Sequence, residues 1–335
     1  MIKKILFINF GGIGDEILFL PSILSVKKQF PDSEITLALE ERSKGITSLT
    51  NVIDNTLLSN VKSGGKCGRC GKYFSLAKLL VKIWQGSYYM VISSGSNKFI
   101  SIFLFMTFIK KRYGYDTGFL SRFLLTKAVK LNKNQYAVDM YHDLVTPVTN
   151  IKTGLPEFDI QKQPKKENTI LIHPGVSKIS IKKGMIKTIP PREWAKVIDK
   201  LYDSGKVRIL LTGGPDDREC IETIVKETAP EKFENLYGRT KNLRELAELI
   251  SSADKFLCSD SAPLHIAVGL GVETYAIFGS TDDKKLIPQN KKVTPIKADC
   301  DCPLYPCLWE KRQTTCESLD CLKISAEKIA QIVLK

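Results

Sequence analysis

A chain of 335 residues with 43% hydrophobic and 26% charged side chains has the composition of a soluble globular protein, which excludes a disordered or fibrous chain. Lys and Arg outnumber Asp and Glu by 50 to 36, a net charge of +14, and residues 1–150 carry +10 of it against +4 for the rest. That bias points to a large anionic partner for the first half, a phosphorylated glycan or an anionic lipid; no zinc-finger or RNP signature supports nucleic acid.

Taken in order, "KKILF" predicts a strand over 4–9, and "INFGGIGDEI" carries it through a glycine turn into an amphipathic helix over 15–29. The opening "MIKKILFINF" has the look of a signal peptide, but Asn9 and the Asp15–Glu16 pair end the apolar run early, so a cytoplasmic protein is expected. Further strands are expected near 35–39 and 89–93, with helices near 74–85 and 98–109. The apolar stretch Phe99–Ile109 is eleven residues long, too short to span a bilayer, and reads as a buried helix. The segment "KTGLPEFDIQKQPKKEN", 152–168, is polar, holds two prolines and lacks helical period, which predicts a linker.

Beyond it the alternation restarts: strand "TILIHPG", helix "PREWAKVIDKLYDSG", strand "VRILLTGG", helix 216–228, "NLRELAELISSA", strand "KFLCSD", helix "PLHIAVGLG", strand "ETYAIFGS" and a closing helix in "SAEKIAQIVLK". Strands alternating with helices imply a parallel α/β fold. The expected domains are 1–160, 161–323 and the closing helix 324–335, two α/β lobes with a cleft where a substrate would lie.

Three turns carry chemistry. In "LCSDSAPLHIAVGLG", Cys258-Ser259 end a strand, Asp260-Ser261-Ala262 turn, and Pro263 suits the first turn of a helix because it lacks an amide proton. Free amides and the helix dipole favour a phosphate there, with His265 in the same turn; equally, Asp260 or Ser261 caps the helix and His265 packs in the core. In "IHPGVSKISIKKGMIKTIPPREW", Lys187 is suited to neutralising a diphosphate, or belongs to an exposed basic loop. In "LLTGGPDDRE", Gly213 and Gly214 let a ligand approach the backbone, and Glu219 or the aspartates can accept hydrogen bonds from a ribose, or the stretch is a plain strand-to-helix turn.

Nine cysteines in a cytosolic chain do not suggest a disulfide framework. Cys220 and Cys258 fall within helix and strand patterns. Cys67 and Cys70, in "CGRCGK", have the form of a zinc knuckle, and with Cys300, Cys302, Cys307, Cys316 and Cys321 they are candidates for a structural zinc or iron site, against reduced thiols in loops.

The opening "ILFINFGGIGDEILFLPSILSVKKQFPDSEITL", the stretch "NLYGRTKNLRELAELISSADKFLCSDSAPLHIAVGLGVETYAIFGSTD", the middle "KKRYGYD…VDMYHDLV" and the Cys-rich tail together resemble the bacterial ADP-heptose:lipopolysaccharide heptosyltransferase family. The resemblance implies a GT-B fold, two Rossmann-like domains, with the nucleotide sugar on the C-terminal one and an anionic glycan or glycolipid acceptor on the N-terminal one. It implies an inverting transfer that requires no cofactor, and a protein with peripheral contact at the inner face of the plasma membrane. Asp15 matches the family's catalytic aspartate, with Gly11, Gly12 and Gly14 admitting the acceptor and Lys110, Lys111 and Arg112 available to its phosphates. Ser177, Lys187, Ser261, Ala262 and His265 overlay the diphosphate site; Asp260, Gly213, Gly214, Glu219 and Lys241 the nucleotide and sugar. Ala262 departs from the family's usual glycine: it either strains a positive φ, at roughly 1 kcal/mol, or crowds the phosphate with a methyl. A same-fold transferase with another donor or a protein acceptor, and a non-catalytic nucleotide-sugar-binding protein, stand as alternatives. The CxxC insertion at 61–72 is not expected of the family.

Overall fold

The computed structural model describes residues 3–62, 68–308 and 316–335. The chain divides into two compact units, Met1–Asp159 and Ile160–Lys335.

In the first unit the elements run β1 (Lys4–Ile8), α1 (Ile13–Gln29), β2 (Glu34–Glu40), β3 (Asn55–Ser59), α2 (Gly68–Gly86), β4 (Met90–Ser93), α3 (Ile100–Met106), β5 (Lys111–Tyr115), α4 (Phe119–Leu124), β6 (Lys127–Val129) and α5 (Ala137–Val145). The strands form one parallel sheet in the order β3-β2-β1-β4-β5-β6. Ile5 to Ile8 are all fully buried, as a central parallel strand covered on both faces demands. Ile8 pairs with Ala38 on one side and Ser93 on the other. The turns leaving β1, β2 and β4 therefore collect at one edge, where the strand order reverses and open α/β sheets bind ligands.

Two expectations need correction here. The segment 98–109 is not a buried helix: Ile100, Phe103 and Leu104 turn inward, while Phe99, Phe105, Met106 and Phe108 are exposed. The helix stops at Met106 because Phe108 takes a left-handed φ of 58°. Strands β3, β5 and β6 also escaped the apolar-run criterion, because each lies outside the centre of the sheet and is only partly buried.

The second unit runs β7 (Lys166–His173), α6 (Lys178–Lys182), α7 (Pro191–Asp203), β8 (Arg208–Leu211), α8 (Arg218–Glu227), β9 (Glu234–Asn235), α9 (Leu243–Ser251), β10 (Ala253–Ser259), α10 (Ala262–Leu270), β11 (Glu273–Ile277), α11 (Asp283–Leu286), β12 (Val293–Ile296) and α12 (Ala326–Leu334). Its parallel sheet has the order β12-β11-β10-β7-β8-β9. The start of β7 takes in residues 166–168 of the expected linker, but these are its exposed end. Helix α7 buries Trp194, Val197, Ile198 and Leu201, an i, i+3, i+4, i+7 stripe. Against that stripe α12 lays Ile329, Ala330 and Val333, so the closing helix completes the core of this unit. Ser325 caps it by accepting the Lys328 amide at 3.2 Å.

Candidate active site

The turn after β1 explains why an acid follows its glycines. Gly12 is the N-cap of α1 and Asp15 its third residue. Asp15 Oδ2 accepts the Gly12 amide at 2.7 Å, so the protein's own carboxylate already fills a donor that a phosphate would need. Close packing requires glycine at position 11, since a Cβ there would collide with the Asp15 side chain. Ser43 Oγ donates to the Gly11 carbonyl at 3.1 Å, and Ser94 Oγ to Asn9 Oδ1 at 2.8 Å, fixing the turn from the β2 and β4 sides. Gly14 lies in the first turn of α1. The result is a half-buried carboxylate at the switch-point edge, held by one oxygen.

Glu16, next in sequence, is buried, and burial followed by the neighbouring Asp15 charge pushes its carboxyl well above the usual range. Its folded form holds a proton more tightly than the unfolded chain does. That stabilisation is complete below the ordinary value of 4.5 and is lost as pH rises toward the elevated folded value. The expected outcome for Glu16→Gln is a thermal midpoint at pH 8 raised by about 2–4 °C, with a flatter decline between pH 5 and pH 8 than wild type shows. Superimposable pH profiles would remove the assignment.

The basic run does not join this turn. Lys111 pairs with Met90, and Met90 with Ile5, which places Lys110, Lys111 and Arg112 at the amino edge of the sheet, opposite Asp15. Lys111 bonds the Tyr89 hydroxyl, and Arg112 donates to the Leu124 and Ile109 carbonyls. Expected to meet acceptor phosphates, these three side chains are thus kept apart from the Asp15 turn by the register of the sheet.

In the second unit the strand order reverses between β7 and β10, and the turns after β7, β10 and β11 meet there. Asp260 is 3% exposed; its Oδ2 receives Lys187 Nζ at 2.9 Å and the Thr281 hydroxyl at 2.8 Å. Burial opposes its charge, but Lys187, together with His265 and Thr281, holds the carboxyl below the ordinary range. Around it Ser259 Oγ reaches the Pro174 carbonyl at 2.8 Å and Thr188 Oγ1 at 2.7 Å, and Trp194 Nε1 donates to Thr188 Oγ1 at 2.9 Å. Thr188 and Thr281 were not singled out in the sequence; their signal was their place at strand and loop ends beside Lys187 and Asp260.

Ser261 is the N-cap of α10 without a side-chain cap, and Pro263 lies in the first turn. Ala262, the first helical residue, has no positive φ, so the expected backbone strain is absent and only the methyl distinguishes it from glycine. Ser177 is exposed at the start of α6, where the Lys178 amide donates to Asp216 Oδ2 at 3.1 Å.

The Gly213–Gly214 turn repeats the architecture of the first unit. Gly214 donates its amide to Asp217 Oδ2 at 2.7 Å, His173 Nε2 lies 3.5 Å from the same oxygen, and a Cβ on Gly175 would collide with Asp217. Asp217 thus ties three segments together instead of offering itself to a ribose. Burial lowers the His173 pKa and raises that of Asp217, which favours a neutral pair. Glu219 is exposed on α8. The Lys241 amide, expected near the base, is taken by Glu245 Oε2 at 2.8 Å as part of the α9 cap formed with Asn242.

Cys67 and the side chain of Cys70 lie outside the described residues. Burial, and then the neighbouring Cys300, Cys307, Cys316 and Cys302, push the Cys321 thiol up to about 11. Among the described residues no three His, Cys, Asp or Glu side chains come together as a metal-binding group.

The family model for glycosyltransferase family 9 (heptosyltransferase) matches residues 76–316. Lipooligosaccharide heptosyltransferase 2 of Campylobacter jejuni is 25% identical over 333 residues, covering 96% of each chain. Lipopolysaccharide heptosyltransferase 3 of Escherichia coli is 25% identical over 283 residues, 80% of this chain and 81% of the relative. Among solved structures, the E. coli heptosyltransferase WaaC with ADP-2-deoxy-2-fluoro heptose superposes with a TM-score of 0.74 at 15% identity, covering 99% of both chains.

Proposed function

The chain belongs to glycosyltransferase family 9, the heptosyltransferases, and on that premise we propose that it moves a heptose from ADP-heptose to a hydroxyl of an anionic lipopolysaccharide-core or related glycan at the inner face of the membrane. The single observation that carries the reading is Asp15, held by one oxygen at the switch-point edge of the first unit. An acceptor hydroxyl gives its proton to this carboxylate as its oxygen bonds the anomeric carbon. The bond to the ADP oxygen breaks on the opposite face, so the configuration inverts. Aspartate suffices as base because the hydroxyl proton becomes acidic only as the new bond forms.

The departing diphosphate gains two negative-charge stabilisers in the second unit. Lys187 has three donor hydrogens, one directed at Asp260, and the remaining two are free to serve phosphate oxygens. The uncapped amino end of α10 adds amides and its dipole. These groups do the work that a divalent cation does elsewhere, so brief EDTA treatment is expected to leave the rate of transfer unchanged. The ADP-2-deoxy-2-fluoro heptose named with the WaaC structure is an ADP-linked heptose analogue, which supports an ADP-sugar donor here.

The reading is tested by a panel of ADP-, UDP- and GDP-linked sugars with a deacylated core oligosaccharide, measuring released nucleotide. ADP-heptose is expected to be consumed, and only with acceptor present. Consumption of a UDP- or GDP-sugar alone would favour a same-fold transferase with another donor, the reading to which the Ala262 methyl points.

A further inference from the structure

We propose that the face formed by α3, α4 and the segment between them is a docking surface for an anionic lipid bilayer. This proposal rests on the placement at the membrane given above and adds the residues that would make the contact. Seven of the eighteen large hydrophobic side chains left exposed among the described residues fall between Phe99 and Phe123. Phe99, Phe108, Phe119 and Phe123 are each 75–79% exposed, far more than isolated surface apolar groups require. They belong to one surface. Helix α3 packs against α4, the Trp84 and Phe108 rings are 6.0 Å apart, Phe119 stacks on Phe123 at 6.5 Å, and the Arg112 guanidinium lies 5.4 Å from the Phe105 ring. Phe108 is presented by a left-handed backbone that bulky residues rarely adopt.

Charge selects the occupant. Residues 98–130 carry seven Lys and Arg and one acid, Asp116, which is itself paired with Arg122 at 2.7 Å. The core of a protein interface is depleted of charged residues. Exposed aromatics with Arg112 against Phe105, in a stretch of chain so rich in cations, instead suit the interfacial zone of a membrane bearing anionic headgroups. None of the described helices is long and apolar enough to cross a membrane, so the contact is one of surface insertion. Ser94, bonded to Asn9 of the Asp15 turn, precedes Phe99 by five residues, which links this face to the proposed acceptor site.

The test is flotation of the full chain with vesicles of phosphatidylethanolamine containing about 30 mol % phosphatidylglycerol, beside neutral phosphatidylcholine vesicles. Wild type is expected to float with the anionic vesicles, to be released by high salt, and to bind neutral ones weakly. Phe119→Ser combined with Phe123→Ser is expected to weaken binding by about tenfold or more. Because both rings are exposed, its thermal midpoint and its transfer to a soluble acceptor should match wild type. Failure of wild type to float, or equal flotation of the variant, overturns the proposal while leaving the transferase reading intact. So does a wild-type dimer that the double variant converts to monomer, since a second copy would then cover this face.

Discussion

Asp15→Asn is expected to lower kcat by about 10²–10⁴-fold, the usual contribution of a positioned general base, while leaving the fold and the affinity for ADP unchanged. Asparagine is the informative replacement because Asp15 has two duties that it separates. The Gly12 amide needs an acceptor at 2.7 Å, and the asparagine carbonyl oxygen supplies one in the same place. Proton acceptance needs the charge, which asparagine lacks. Asp15→Ala removes both, so its kcat should fall as far, and its thermal midpoint should drop by about 2–4 °C for each kcal/mol of lost cap. The comparison requires kcat from initial rates, a melting curve, and ADP titration for all three proteins. If Asp15→Asn turns over within a few fold of wild type, the carboxylate is a helix cap and nothing more. Unaltered ADP binding is part of the expectation, because the proposed nucleotide site is built from residues of the other unit.

How much of this was legible in the sequence depended on burial. The central strands β1, β2 and β4, and β7, β10 and β11, read as apolar runs because helices cover both of their faces. The flanking β6 and β9 span three and two residues and bury little, so no pattern marks them. The Asp15 turn and the Asp260 turn were legible because strand, glycine or small residue, and helix follow one another without a break. Lys187 was visible only as a charge in a loop; its pairing with Asp260, 73 positions on, is made by the adjacency of β7 and β10. The basic run at 110–112 could not be placed for the opposite reason. Charge can be read along a chain, but which edge of a sheet displays it is decided by register. Phe99–Ile109 looked uniformly apolar, and nothing local to that run shows that three of its four rings face away from the core.

The Lys187–Asp260 pair should yield the largest change in stability. Lys187→Met leaves a carboxylate that is almost fully buried without its counter-charge, a loss of about 3–5 kcal/mol, or on the order of 10 °C in the thermal midpoint. The pH profile should also reverse. In wild type the Asp260 carboxyl is held below its ordinary value of 3.8, so its contribution is present above that value and lost as pH falls through the depressed one. Without Lys187, burial dominates and raises the carboxyl, so the variant should become less stable as pH rises from 4 to 7, roughly the span in which a buried acid gives up its proton. Adding Asp260→Asn to Lys187→Met removes the stranded charge and should return much of the lost midpoint. It should not return ADP affinity, expected to be weaker by about tenfold or more in both variants, since the cation proposed to meet the diphosphate is still missing. Recovery of stability and affinity together would make Lys187 a structural partner of Asp260 alone, and an undisturbed midpoint in Lys187→Met would mean that the pair does not form in solution.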